Sequence, residues 1–449
     1  MIVSAARIYV DGVVKKDVAL ELGPDGRVKG LVPRVQAKLD LGERLLVPGA
    51  VNAHSHAFQR LLRGRTQAAS STDDNFWSWR EIMYRAAGTL DPEGIRTASR
   101  QAFLEMALSG ITTVGEFHYL HHAPDGTPYS DPLATARALI AAAGDVGIRL
   151  CLIRTIYLRG DFDTPPSELQ RRFCDPSLDA ACAAIDELVK LETPMVSVAV
   201  AAHSVRAVAI GDIRAAKERY RGRSFHLHVS EQPREVEQCL AKTGKAPVAL
   251  LAQAGVLDKD TTLVHATHLR DGEVSAIAQS GATVCICPST EADLGDGLGP
   301  VRALFDAGVP MALGTDGQTL LSLLEEGRRL EMHARLQHQR RNVVTRAGGD
   351  SSAKACFDSM TVHGARALGI DAGRFAPGSI GDFVTYDLRD PALVGCDDDS
   401  LLAALVFSTD SRAVRDVCVG GRLIVRDGKY TRISEHSDAY VKLTRQLFG

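Results

Sequence analysis

The chain has 449 residues, 45% of them hydrophobic and 24% charged, with a formal net charge of −3 and a sequence pI near 6.5. That composition is typical of a soluble globular protein, and the near-neutral balance gives no electrostatic reason to expect nucleic acid or an anionic membrane as partner. No apolar run approaches the roughly 18 residues of a membrane span, and "MIVSAARIYVDG" does not read as a signal peptide. The nine cysteines are odd in number, and the close pair, Cys285 and Cys287, is spaced for neither a disulfide nor an ordinary zinc site. Reduced thiols in a cytoplasmic protein are expected.

Residues 1–48 read as short strands with turns at Asp11-Gly12 and near Asp25-Gly26. The far end has the same character: "GSIGDFVTYDL" and "VRDVCVGGRLIVRDGKY" give strands around Gly-Gly and Asp-Gly turns. Each piece is too short to bury a core alone, so 1–48 and 370–449 are expected to combine into one small β-sandwich.

Residues 49–369 follow another pattern. Apolar β-rich runs fall at 45–53, 110–117, 148–157, 196–204, 224–231, 261–268, 281–290 and 309–317. Helical stretches separate most of them; "DPEGIRTASRQAFLEMALSG" has Asp91 as cap, Pro92 in the first turn and Gly110 as stop. Strands alternating with helices in this way predict an α/β fold, a (β/α)8 TIM-like barrel. A doubly wound open sheet is the rival, but no Gly-x-Gly-x-x-Gly follows the first strand. One connection is abnormal: 57 to about 91 is far longer than the usual loop and holds both tryptophans, Trp77 and Trp79. A structured lid or substrate wall is expected there.

Catalytic groups of such a barrel lie at the C-terminal ends of its strands. His54 and His56 end the first run, two apart and so on the same face. His228 sits on the fifth, followed three residues later by Glu231; His265 ends the sixth and Asp316 the eighth. Neutral imidazoles suit zinc and a carboxylate balances its charge, so His54, His56, His228 and Asp316 are expected as metal ligands. Glu231 and His265 remain as acid–base groups, Glu231 to move a proton and His265 to orient or polarise.

These segments, "PGAVNAHSHAF", "HLHVSE", "LVHATH" and "GTDG", resemble the amidohydrolase superfamily in its deaminase branch. The branch with a metal-bridging lysine needs that lysine at the end of the fourth strand, where this chain reads "VSVAVAAHSVR". The expectation is therefore one Zn2+ per subunit, with Fe2+ or Mn2+ as possible substitutes. "FWSWREIMYR", "GEFHYLHHAPDGTPYSDP", "HLHVSEQPREVEQCL" and "PSTEADLGDGL" are similar to the members that hydrolyse N-formimidoyl-L-glutamate to N-formyl-L-glutamate and ammonia in histidine degradation. The resemblance implies substrate contacts at Gln59, Arg80, Tyr119, His203 and Arg206, with Asp316 assisting catalysis, and a homodimer. Two arginines suit a small acidic substrate, because a guanidinium fork binds a carboxylate bidentately. "LGTDGQTLLS" departs from the pattern, a serine or histidine being expected near the aspartate. His118, His121 and His122 are expected to serve the lid or hydrogen bonding. Rival readings are deimination of a related acidic amidine or guanidino compound, and cyclic amide hydrolysis like that of imidazolonepropionate.

Overall fold

Eight parallel strands stand in chain order around one axis: Ala50–Ser55 (β1), Ile111–His118 (β2), Arg149–Ile156 (β3), Val196–Ala202 (β4), Phe225–Val229 (β5), Thr261–His265 (β6), Thr283–Ile286 (β7) and Met311–Leu313 (β8). Each pairs with its neighbours in the chain, and a parallel bridge from Ser55 to Asp316 joins β1 to the segment after β8. The computed structural model describes residues 1–68, 74–345, 351–431 and 436–448. Every residue of β2, β3, β5 and β6 is buried, as strands covered by helices on one side and filled on the other must be.

The run at 45–53 is two strands. Arg44–Pro48 belongs to a different sheet, and the chain crosses into β1 at Gly49. A Cβ there would lie 2.2 Å from Thr112 Oγ1, so only glycine allows the crossing.

Both termini build the other sheets. Seven strands run from Lys429–Tyr430 through Arg422–Arg426, Val414–Val419, Phe383–Asp387, Arg44–Pro48 and Arg7–Val10 to Val13–Lys15, joining the two ends of the chain through Phe383–Asp387 against Arg44–Pro48. A four-stranded sheet from residues 2–40 packs on it over Val3, Ile8, Leu20, Leu46, Phe383 and Cys418. Alternation divides the larger sheet's faces: Leu46 enters this core, while Leu45 and Val47 join the barrel's. The Asp11-Gly12 turn is as expected, with φ of 50° and 91° at its two residues. Not all of 370–449 is sheet. Leu401–Ser408 packs on Leu323–His338 and Ser352–Ser359, and His436–Phe448 packs on Pro92–Leu108, so both helices cover the barrel.

The long connection is structured where it is described: a 3-10 helix at Ala57–Leu62 and a helix at Phe76–Ala87, capped by Asn75. Asp91 accepts a hydrogen bond from Gly94 N as the cap of Pro92–Leu108. The nine cysteines are all unpaired thiols. Among the described residues no helix is long and apolar enough to cross a membrane.

Candidate metal centre and substrate pocket

His54, His56, His228 and Asp316 converge at the C-terminal rim, all four buried. His54 Nε2 lies 3.1 Å from His56 Nε2 and 3.2 Å from His228 Nε2. Asp316 Oδ1 is 3.2 Å from both His54 Nε2 and His56 Nε2. Four ligands at about 2.0 Å around a tetrahedral ion sit about 3.3 Å apart. The spacing fits one divalent ion.

The imidazoles are oriented by their other nitrogens. His56 Nδ1 is 3.0 Å from Phe117 O and His228 Nδ1 is 3.1 Å from His203 O, so donation there turns each Nε2 lone pair inward. Burial lowers the His54 imidazole to about 4 and holds His228 well below the ordinary range, which keeps both neutral. Burial opposes ionisation of Asp316, but the His54 and His56 contacts outweigh it and hold the carboxyl well below its usual value. The backbone is strained here: Ser230, His265 and Asp316 have φ of 51°, 73° and 40°. Gly314 lets β8 approach, since a Cβ there would lie 2.7 Å from His54 Cβ.

Glu231 and His265 stand beside this cluster. His265 Nε2 is 3.5 Å from Glu231 Oε1 and 3.7 Å from Asp316 Oδ2, and its Nδ1 is 3.4 Å from Glu291 Oε1. Burial raises the Glu231 carboxyl against the pull of His265. A carboxyl poised in this way can both accept and release a proton.

A cleft opens over the cluster, and all five expected substrate residues line it: Gln59, Arg80, Tyr119, His203 and Arg206. Phe76, Trp79, Met83 and Tyr84 make the helix after the long connection one of its walls. Arg80 lies over the Trp77 and Tyr84 rings, 4.5 and 5.4 Å from their centroids, and has no carboxylate partner among the described residues. Arg206 is buried 3.6 Å from Glu235 Oε2, and its Nε has no hydrogen-bond partner among the described residues. Gln59 Nε2 donates to Tyr119 Oη at 3.2 Å. Burial, reinforced by Arg206, lowers the half-buried His203 well below the ordinary range, leaving it neutral.

His118 and His121 make hydrogen bonds outside the four-donor cluster. His118 Nε2 is 3.1 Å from Thr135 Oγ1, and His121 Nε2 is 2.8 Å from Thr155 O. Several supporting residues escaped the sequence reading. Glu116 accepts from Ser55 Oγ at 2.6 Å and Ala57 N at 2.8 Å, pinning the His54-x-His56 stretch. Gln318, in the departing stretch after Asp316, donates to Ser55 Oγ and to Asp316 O, both at 2.9 Å. It braces the rim where a serine or histidine was expected.

Residues 45–424 match the amidohydrolase family, and the chain belongs to that family. It is 37% identical over 443 residues to the formimidoylglutamate deiminase of Pseudomonas aeruginosa, covering 96% of each chain. A 5-methylthioadenosine/S-adenosylhomocysteine deaminase from Natronomonas pharaonis is 29% identical, over 87% of this chain and 83% of that one. The crystal structure of an amidohydrolase from Brucella melitensis superposes with a TM-score of 0.90 at 32% identity, covering 100% of both chains. A zinc-bound adenosine deaminase from Xanthomonas campestris shares the fold, with a TM-score of 0.81 at 24% identity over 99% and 97% of the chains.

Proposed function

We propose that the protein hydrolyses N-formimidoyl-L-glutamate to N-formyl-L-glutamate and ammonia. The observation that carries this reading is the pairing of two guanidinium groups, Arg80 and Arg206, with a four-donor cluster in one cleft. The full-length similarity to the Pseudomonas aeruginosa deiminase supports it. 5′-Methylthioadenosine offers no carboxylate for the two arginines, whereas glutamate has two.

His54, His56, His228 and Asp316 would hold a zinc ion, which supplies Lewis-acid activation of water when bound. Arg80 and Arg206 bind the substrate carboxylates, while Gln59, Tyr119 and neutral His203 add hydrogen bonds along its length. That anchoring sets the formimidoyl carbon over the rim. Glu231 takes one proton of the attacking water and passes it to the departing nitrogen, then relays the second from the new hydroxyl as the C=O forms, so that the terminal =NH leaves as NH3. His265, steered by Glu291, fixes the orientation of the reacting oxygen, and Asp316 Oδ2 flanks it. The C–O bond forms, the C–N bond to the terminal nitrogen breaks, and ammonia leaves. Ammonia release from N-formimidoyl-L-glutamate by zinc-loaded protein, against 5′-methylthioadenosine, tests the reading. Turnover confined to the acidic amidine is expected; preference for the nucleoside overturns it.

A further inference from the structure

Arg172 is a charged side chain sealed inside the protein, 0% exposed. It lies in the 3-10 helix Glu168–Phe173, on the connection that follows β3. Among the described residues its guanidinium donates to carbonyls alone: Ala87 O, Leu90 O at 3.0 Å and His122 O at 3.2 Å. Burial lowers the group from 12.5 to about 10, so it stays charged at neutral pH.

Those carbonyls show what the charge holds. Ala87 ends the helix Phe76–Ala87 that walls the cleft, and Leu90 lies just beyond it. The last carbonyls of a helix lack partners within it and carry partial negative charge, which a cation satisfies. The Arg172 backbone adds a second tie: its carbonyl accepts from His121 N at 3.1 Å and His122 N at 3.0 Å, in the stretch after β2. The next residue, Phe173, lines the cleft with its ring 5.3 Å from those of both Tyr84 and Tyr119. One short segment thus pins the wall helix to the stretch that carries Tyr119.

Arg80 depends on that helix for its place. Its ring contacts, Trp77 and Tyr84, lie on the same helix and so do not fix it against the barrel. Arg206 stands instead after β4, beside Glu235. The gap between the two guanidinium groups follows the helix wherever it is held.

We propose that Arg172 is a positioning residue that fixes Phe76–Ala87 against the barrel and so sets Arg80 at the distance from Arg206 that the two substrate carboxylates need. The proposal rests on the function proposed above; Arg172 acts on binding, through Arg80, and not on the chemistry at the rim.

Arg172→Met, Arg80→Met and the double variant test it on N-formimidoyl-L-glutamate. Arg172→Met is expected to raise KM roughly tenfold or more, with kcat and bound zinc near native. In the double variant KM should rise no further than in Arg80→Met, because changes acting through one contact do not add. Trp77 and Trp79 are the only tryptophans and both lie on this helix, so emission reports its seating directly. Arg172→Met is expected to emit at longer wavelength and to be quenched more by acrylamide. Arg172→Lys keeps the charge without the fork, and should show the same changes to a smaller extent. Native KM or unshifted emission in Arg172→Met, or in Arg172→Lys where the first variant does not fold, overturns the proposal. So do KM effects that multiply in the double variant, or a fall in kcat at unchanged KM. Absence of turnover by native protein removes the proposed function and leaves emission to decide whether Arg172 holds the helix.

Discussion

Ser55 and Asp316 face each other in a parallel bridge across the seam at which the barrel closes. Ser55 Oγ donates to Glu116 and accepts from Gln318, and the neighbouring backbone holds His54 and His56. Asn52 crosses the same seam, donating to Thr315 Oγ1 at 2.8 Å and accepting from Thr315 N at 3.0 Å. Barrel closure and ligand geometry therefore depend on the same bonds.

Glu116→Gln puts an amide N–H against either Ser55 Oγ or Ala57 N, both of which now donate to the carboxylate. The loss is about 1–3 kcal/mol of stability for a disrupted buried bond. Outer partners of a metal site are worth about 10–100-fold in metal affinity. Urea unfolding of the metal-free protein and competition with a zinc chelator measure the two; unchanged zinc affinity contradicts the role given to Glu116.

Arg80→Met keeps an apolar stem against Trp77 and Tyr84 but removes the charge. A lost charge-assisted hydrogen bond costs about 1.5–3 kcal/mol, or roughly 10–150-fold in kcat/KM. Thermal stability and zinc content should stay near native. Full kcat/KM on N-formimidoyl-L-glutamate would remove Arg80 from substrate binding.

Glu291→Gln leaves the four-donor cluster untouched and changes the partner of His265 Nδ1. The expected result is a lower kcat with KM and bound zinc nearly unchanged, because His265 loses its orientation rather than the substrate its anchors. A change in KM alone would assign Glu291 to binding.

Burial, with Arg154 and Arg172 adding to it, pulls the His118 imidazole from 6.5 down to about 3. On acidification the unfolded chain takes up this proton near 6.5 and the folded chain only near 3. Stability therefore falls as pH drops through that window, by up to about 1.4 kcal/mol per pH unit for one group. His118→Gln removes the titration, so its urea midpoint should decline less steeply below pH 6 than that of native protein. Parallel slopes would show that His118 does not contribute.

Much of this arrangement is legible in the residues. The eight apolar runs and the order of His54, His56, His228, Glu231, His265 and Asp316 place the cluster, because strand alternation and the rim rule leave little freedom. Gly49 hid the strand break: an apolar run carries no sign that its two halves join different sheets. Glu116 and Gln318 were equally silent. Each acts through a contact with Ser55, 61 and 263 residues away in the chain, and such a pairing exists only once the barrel has closed. The helix at His436–Phe448 likewise reads as part of a terminal appendage until its packing on Pro92–Leu108 is seen.

The most direct test is to titrate metal-free protein with zinc while following bound zinc and ammonia released from N-formimidoyl-L-glutamate in one sample. Turnover should rise in proportion to zinc up to one ion per chain, and His56→Ala should lose both the ion and the activity. Full turnover by the metal-free protein, or by His56→Ala without bound metal, would contradict the account.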